Sequence, residues 1–200
     1  HNSQTMQNIS YDLSGLAEIA YLQVGISGAT FDSMLARQAS VVYPRITDTI
    51  SKIYFIVWEG TNQISGGTSA ADSLTKLNTY CGNLKTEAAN EGITLVTIVP
   101  TLLARDFIGE DAKILESGEY NTDLIGSTPA NVDHVVQFAS AYASYRDDFG
   151  SDAAFITDQR AKAADTTYFL DGTHLVDGSN GYRAAVSKPI SDLIKTLEGL

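Results

Sequence analysis

Lys52-Ile53-Tyr54-Phe55-Ile56-Val57-Trp58 is a run of six apolar or aromatic residues behind one lysine. A strand with one wet face would alternate. An unbroken run suits a strand of a parallel sheet that is covered on both faces. Downstream, Gly60-Thr61-Asn62-Gln63 reads as a loop, followed by Ser65-Gly66-Gly67. Residues 69–90 read as a long helix, with Leu74, Leu77, Tyr80, Cys81, Leu84 and Ala88 on one face and Gly92 as its stop. Ile93–Val99 is the next strand, and Val132–Phe138 another. Between them, Thr101–Gly126 is mixed and polar, a broken loop with a helix near Tyr120–Ile125.

Upstream, Met6, Ile9, Leu13, Leu16 and Ile19 recur every three or four residues. That spacing predicts an amphipathic helix starting near Gln4. Tyr21–Val24 is a short strand, and Gly25-Ile26-Ser27-Gly28-Ala29 a tight loop. Thr30 or Asp32 can cap a helix through Met34, Leu35, Val41 and Val42 that ends near Pro44. Residues 150–170 read as irregular. A last helix runs from about Asn180 to Leu197, with a kink or restart at Pro189. Strands separated by helices mean an α/β domain with a mostly parallel sheet. Ligands of such sheets sit at the carboxyl ends of the strands, where the loops Gly25–Ala29, Gly60–Gln63 and Asp171–His174 would gather.

Composition narrows the function. Two hundred residues at 44% hydrophobic suffice for one domain, residues 1–200, with a substantial core. A net charge of −11 with 13 Lys and Arg argues against a nucleic-acid partner, which needs cations on phosphates. The longest apolar runs are too short to cross a membrane. Cys81 is the only cysteine and there are three His, which speaks against a cysteine cluster or a His-rich metal site.

The chemistry starts at Leu170-Asp171-Gly172-Thr173-His174-Leu175. A carboxylate three positions before a histidine can accept one imidazole N–H, fix the tautomer and leave the other nitrogen as a base. A base needs a nucleophile. His1-Asn2-Ser3-Gln4-Thr5 places Ser3 at the start of the expected first helix, where backbone N–H groups are unpaired and the field is positive. Gly28 can offer a bare N–H to a developing oxyanion, and Asn62 a side-chain amide.

Together these residues resemble the SGNH (GDSL-type) hydrolase family. Ser3 and Thr5 match the family's first block, Gly-Asp-Ser-x-(Ser/Thr). Gly25-Ile26-Ser27-Gly28 matches the second at Gly28, and Gly60-Thr61-Asn62-Gln63 matches the third, Gly-x-Asn-Asp, at Asn62. Asp171 and His174 match the Asp-x-x-His block. Each motif alone is weak, but four in the family's order across the whole chain are specific. The sequence departs from the pattern at Asn2 and Gln63, where the family usually has Asp; these neighbours bear on the subfamily rather than the reaction.

The resemblance implies a flavodoxin-like three-layer α/β/α fold and ester hydrolysis without metal or organic cofactor. Ser3 would be the nucleophile, His174 the base and Asp171 its orienting partner. The N–H groups of Ser3 and Gly28 and the Asn62 side chain would form the oxyanion hole. In this family a central strand leads into the nucleophile. The chain opens without one, so it reads as a domain of a longer polypeptide, or one whose first strand comes from another segment. Resemblance to SGNH domains of carbohydrate esterases and phage tail proteins implies an O-acetylated carbohydrate as substrate, other domains as partners, and an extracellular or virion-associated setting.

Each residue also has a plainer reading. Ser3 can be a helix cap, Asp171–His174 a surface turn, Gly28 a turn glycine and Asn62 a loop-capping amide. His134, among Val132, Val135 and Val136, reads as structural, and Trp58 as core rather than a sugar platform. Two other functions stand beside the carbohydrate esterase. One is a lipase or general acyl-ester hydrolase, which would need an apolar groove that the polar loops at Ser65–Thr68 and Glu119–Thr122 do not suggest. The other is a binding module that kept the fold and lost the chemistry.

Overall fold

The structure is a computed structural model that describes residues 9, 13, 24–26, 28–47, 49–143, 145–172, 174–176, 181 and 183–200. In chain order the described elements include α1 (Phe31–Arg37), β1 (Lys52–Ile56), α2 (Thr61–Ser65) and α3 (Ala70–Asn90). They continue with β2 (Thr94–Pro100), α4 (Asp111–Gly126), β3 (His134–Val136), α5 (Asp152–Ala164) and α6 (Lys188–Leu197). The three strands form one parallel sheet in the order β1-β2-β3, with Ile53 beside Leu95 and Ile98 beside His134.

Alternation along the strands divides the interior into two cores, because successive side chains of a strand leave on opposite faces. Ile53, Phe55, Val57, Leu95 and Val99 belong to one core with Phe31 of α1, Leu77, Tyr80 and Leu84 of α3, and Tyr120 and Leu124 of α4. Tyr54, Ile56, Trp58, Val96 and Ile98 belong to the other, with Ile9, Leu13, Val186, and Ile190 and Ile194 of α6. The domain is therefore a three-layer α/β/α arrangement, as the unbroken apolar run at Lys52–Trp58 requires.

Local chemistry sets the helix ends. Thr30 and Ser33 exchange side-chain and backbone hydrogen bonds as a capping box at the start of α1. Ser69 Oγ accepts the N–H of Asp72 at 3.2 Å to open α3. Gly92, at φ +70°, closes it and lets Ile93 N–H reach Ala88 O at 2.8 Å. Pro189 sits in the first turn of α6, where its missing N–H costs nothing, and the helix upstream, Arg183–Ser187, is π-wound. The restart expected at Pro189 is thus present.

Several elements differ from the expectation. The stretch 150–170 is not irregular: Asp152–Ala164 is helical. Its buried face is Phe155, Gln159 and Ala163, one large apolar residue among small or polar ones, which leaves no apolar periodicity to read. Likewise the helix expected near Tyr120–Ile125 begins at Asp111, and its buried face includes Ser117, Gly118 and Asn121. The Gly60–Gln63 loop is the start of a short helix, α2. The strand expected over Val132–Phe138 pairs only over His134–Val136. His134 is a half-buried strand residue, as expected, and Trp58 packs edge-on against Phe138 at 5.6 Å at the margin of the second core. Val24, the one described residue of the expected strand Tyr21–Val24, is irregular. Of the first expected helix, Ile9 and Leu13 are helical and buried; its start near Gln4 lies outside the described residues.

After β2 the chain must turn without leaving its backbone groups bare. Asn121 on α4 solves this: its Oδ1 accepts Leu102 N–H at 2.7 Å and its Nδ2 donates to Leu102 O at 3.0 Å, both buried. Replacing Asn121 by Ala strands two buried backbone groups, each costing about 1–3 kcal/mol. We expect Asn121→Ala to lose roughly 2–4 kcal/mol of folding free energy in urea denaturation; a loss below that would mean water replaces the amide there.

Candidate active site

The Asp171–His174 turn is built as the spacing suggested. Phe169 and Leu175 form an antiparallel bridge, Leu170 N–H donates to His174 O at 2.6 Å, and Val176 N–H donates to Tyr168 O at 2.8 Å. Gly172 takes φ +73°, a conformation open to glycine at no steric cost. Within this turn Asp171 Oδ1 accepts the backbone N–H of His174 at 2.8 Å, and Asp171 Oδ2 lies 2.8 Å from His174 Nδ1. The ring N–H is thereby placed on Nδ1, and the basic lone pair on Nε2.

The second part lies where β1 ends. Gly60 takes φ +141°, and a Cβ there would stand 3.1 Å from both Leu102 Cδ2 and Tyr120 Cζ, so a side chain at this position would be strained and tightly packed. Tyr120 Oη donates to the carbonyl of Glu59 at 3.2 Å and pins the turn from α4. Asn62 and Gln63 follow in the first turn of α2. Asn62 Nδ2 donates to Ala29 O at 3.1 Å, so the Asn62 loop is tied to the Gly28 loop. Gly28 itself stands at φ +74° in a turn closed by Ala29 N–H to Ile26 O at 3.1 Å. Gln63, where Asp was the expected pattern, is buried and donates to Asp32 Oδ2 at 3.0 Å and Thr68 Oγ1 at 2.7 Å. It is a neutral strut between α1, α2 and the loop before α3.

Gly28 and Asn62 are therefore brought together, and Asp171 and His174 are brought together. Ser3 lies outside the described residues. Among the described residues no group of His, Cys, Asp or Glu is arranged to hold a metal ion.

Two residues that the sequence reading did not single out stand in this region. Glu59 is only 7% exposed. Its Oε1 accepts Gln63 N–H at 3.0 Å and its Oε2 the Asn62 side-chain amide at 3.3 Å; the N–H groups of Gly60 and Asn62 also bond to it. Burial pushes its carboxyl up from the ordinary 4.5 to about 7, against the pull of those four donors. The other is Arg105, half-buried after β2, with its guanidinium over the Phe107 ring at 5.2 Å. Burial lowers its pKa, while attraction to Asp171 and to Glu59 opposes that. Arg105 thus lies in the field of both halves, the Asn62 loop and the Asp–His turn. A signal for Glu59 was present: an acid directly after an apolar strand and four residues before Gln63 can reach back to the free N–H groups of a helix start.

A scan against protein-family models and a search of curated proteins both gave no match to the chain.

The raised carboxyl of Glu59 makes a stability prediction. The folded state holds this proton more tightly than the unfolded chain does. The contribution is fully present below about pH 4.5 and is lost as pH rises through about 7, amounting to about 3 kcal/mol over the window. Glu59→Gln has no such proton. In urea denaturation the wild type should lose about 2 kcal/mol relative to Glu59→Gln between pH 5 and pH 8. Parallel pH dependences in the two proteins would contradict the burial argument.

Proposed function

We propose that the chain is a serine ester hydrolase of the SGNH type, with a flavodoxin-like fold, acting on O-acyl groups and foremost on O-acetyl groups of a carbohydrate. The observation that carries this reading is the paired geometry: an Asp171–His174 couple with its base on Nε2, and an Asn62–Gly28 loop pair, both in the field of Arg105. A further support is that the four matched sequence blocks occur in the family's order.

On this reading Ser3 Oγ attacks the acyl carbonyl while His174 Nε2 takes its proton. Asp171 holds the imidazolium that forms. The tetrahedral intermediate places its negative oxygen among the N–H groups of Ser3 and Gly28 and the amide of Asn62. Its collapse expels the sugar hydroxyl, which receives the proton from His174. Water, deprotonated by the same nitrogen, then frees the acid and restores Ser3. No cofactor enters these steps. The partner is an acylated carbohydrate, and an extracellular or virion-associated setting follows from the resemblance.

A second reading, a hydrolase of longer acyl esters, has one observation in its favour. Ile26, two residues before Gly28, and Leu170, beside Asp171, are 58% and 65% exposed. Such side chains could line a groove for an apolar tail.

Turnover of p-nitrophenyl esters separates the two: rates highest on acetate support the first reading, and rates rising with chain length support the second. Ser3→Ala should lower kcat on the order of 10³-fold or more, since nucleophile and base act as a unit. Fluorophosphonate labelling that maps to any residue but Ser3 would overturn the assignment. The rate should fall at acid pH, because a protonated imidazole cannot accept the serine proton. Asn62→Ala should cost about 10²–10³-fold in kcat with little change in KM, because the oxyanion exists only after attack. A mutant with early melting but intact kcat would make Asn62 a structural residue only.

A further inference from the structure

The amide of Asn62 has two N–H bonds, and both are engaged. One goes to Ala29 O at 3.1 Å and the other to Glu59 Oε2 at 3.3 Å. An oxyanion that recruits this amide must displace one of them. Ala29 O belongs to the loop that carries Gly28, and giving up that bond would separate the two expected donors. The bond to Glu59 is the longer, and its acceptor is the only one of the pair whose strength can change, because a carboxyl can gain or lose a proton.

We propose that Glu59 is a positioning residue for acyl transfer, whose carboxyl holds the Asn62 amide when ionised and releases one of its N–H bonds to the oxyanion when protonated. This deepens the hydrolase reading and rests on it.

The physical grounds lie in the surroundings of the carboxyl. Among the described residues, Glu59 accepts from N–H donors: the backbone of Gly60, Asn62 and Gln63, and the Asn62 side chain. A carboxylate can accept four such bonds, whereas a carboxylic acid must turn one oxygen into a donor. A proton arriving from solvent at Oε2 therefore opposes the Asn62 N–H directly. The backbone donors are held by the turn of α2, while the side-chain amide can rotate, so the amide yields. The ionised form works against catalysis twice. It keeps the N–H, and it sets a negative charge beside the place where the oxyanion forms.

Other groups that bear on this carboxyl are Arg105, after β2, which favours its ionised form, and Tyr120, from α4. Asp171 draws on the same cation. Burial is the leading influence and raises the carboxyl to about 7, which places the exchange within the working range of a histidine base. A helix-capping acid with no part in the reaction would not link its proton to kcat.

Two measurements test this on the intact chain. The first is NMR of the wild type with ¹³C-labelled carboxyls, following Glu59 and the side-chain N–H₂ signals of Asn62 from pH 5 to pH 9. The two should titrate with one midpoint near 7, and an Asn62 amide that ignores the Glu59 midpoint overturns the proposal. The second is the kcat–pH profile on p-nitrophenyl acetate. The wild type should decline on the order of tenfold or more between pH 7 and pH 9, within the range of losing one oxyanion donor. In Glu59→Gln this alkaline decline should vanish, with KM changed less than about threefold and the acid limb retained. A decline that persists in Glu59→Gln overturns the inference and leaves the hydrolase reading standing. Absence of Ser3-dependent hydrolysis in the wild type overturns both. If Glu59→Gln does not fold, the wild-type NMR titration decides alone.

Discussion

A parallel sheet with a core on each face has no exposed surface except its ends, and that constraint shapes the rest of the molecule. Most side chains of β1 and β2 are claimed by one core or the other, with Lys52 and Thr94 exposed at the amino ends, so the two faces of the sheet leave little room for chemistry. Parallel strands also run the same way, so the segments after Ile56, Pro100 and Val136 all emerge at one edge. Glu59, Gly60 and Asn62 follow the first of these strands, and Thr101 to Arg105 the second. The gathering of polar groups at that edge is a consequence of burying everything else.

Polar groups at the edge are themselves partly buried, so each must find partners nearby. Asn121 takes both backbone groups of Leu102; Tyr120 holds the carbonyl of Glu59; Gln63 spans Asp32 and Thr68. These contacts come from α1, α4 and the loop before α3, and they fix the Asn62 turn from several sides. Such a rigid polar edge is suited to stabilising a charge that appears briefly. It also explains why the Gln63 position tolerates a neutral amide: its task is to join loops, and an amide both donates and accepts. Glu59 is the exception. It brings a charge into a place that resists one, and the proposed link between its proton and the Asn62 amide makes use of that resistance.

The Asp171–His174 couple was legible because its geometry is local. Three residues of separation and one glycine decide where carboxylate and imidazole meet, and the bonds at 2.8 Å follow from the turn alone. The helices at Asp111–Gly126 and Asp152–Ala164 were not legible in the same way. Their inward faces carry Ser117, Gly118, Asn121 and Gln159; of these, Gly118 lets a neighbour approach closely and Asn121 satisfies backbone groups. A Cβ at Gly118 would lie 2.5 Å from Phe155 Cζ, so small residues mark a contact between α4 and α5. Apolar periodicity cannot report a face chosen for closeness rather than for hydrophobicity.

The sequence by itself determined the parallel α/β class, the long helix read over residues 69–90 with its glycine stop, and the Asp171–His174 pair. All of these rest on patterns within a few residues: strand runs, helix periodicity, caps and turns. Only the tertiary structure decided that the Asn62 amide binds Ala29, that Arg105 feels the charge of both Glu59 and Asp171, and that Glu59 is buried among N–H donors. Those relations join segments tens of residues apart. They depend on how tightly the sheet edge closes, and that closeness is set by packing across the whole domain, which no single stretch of chain encodes.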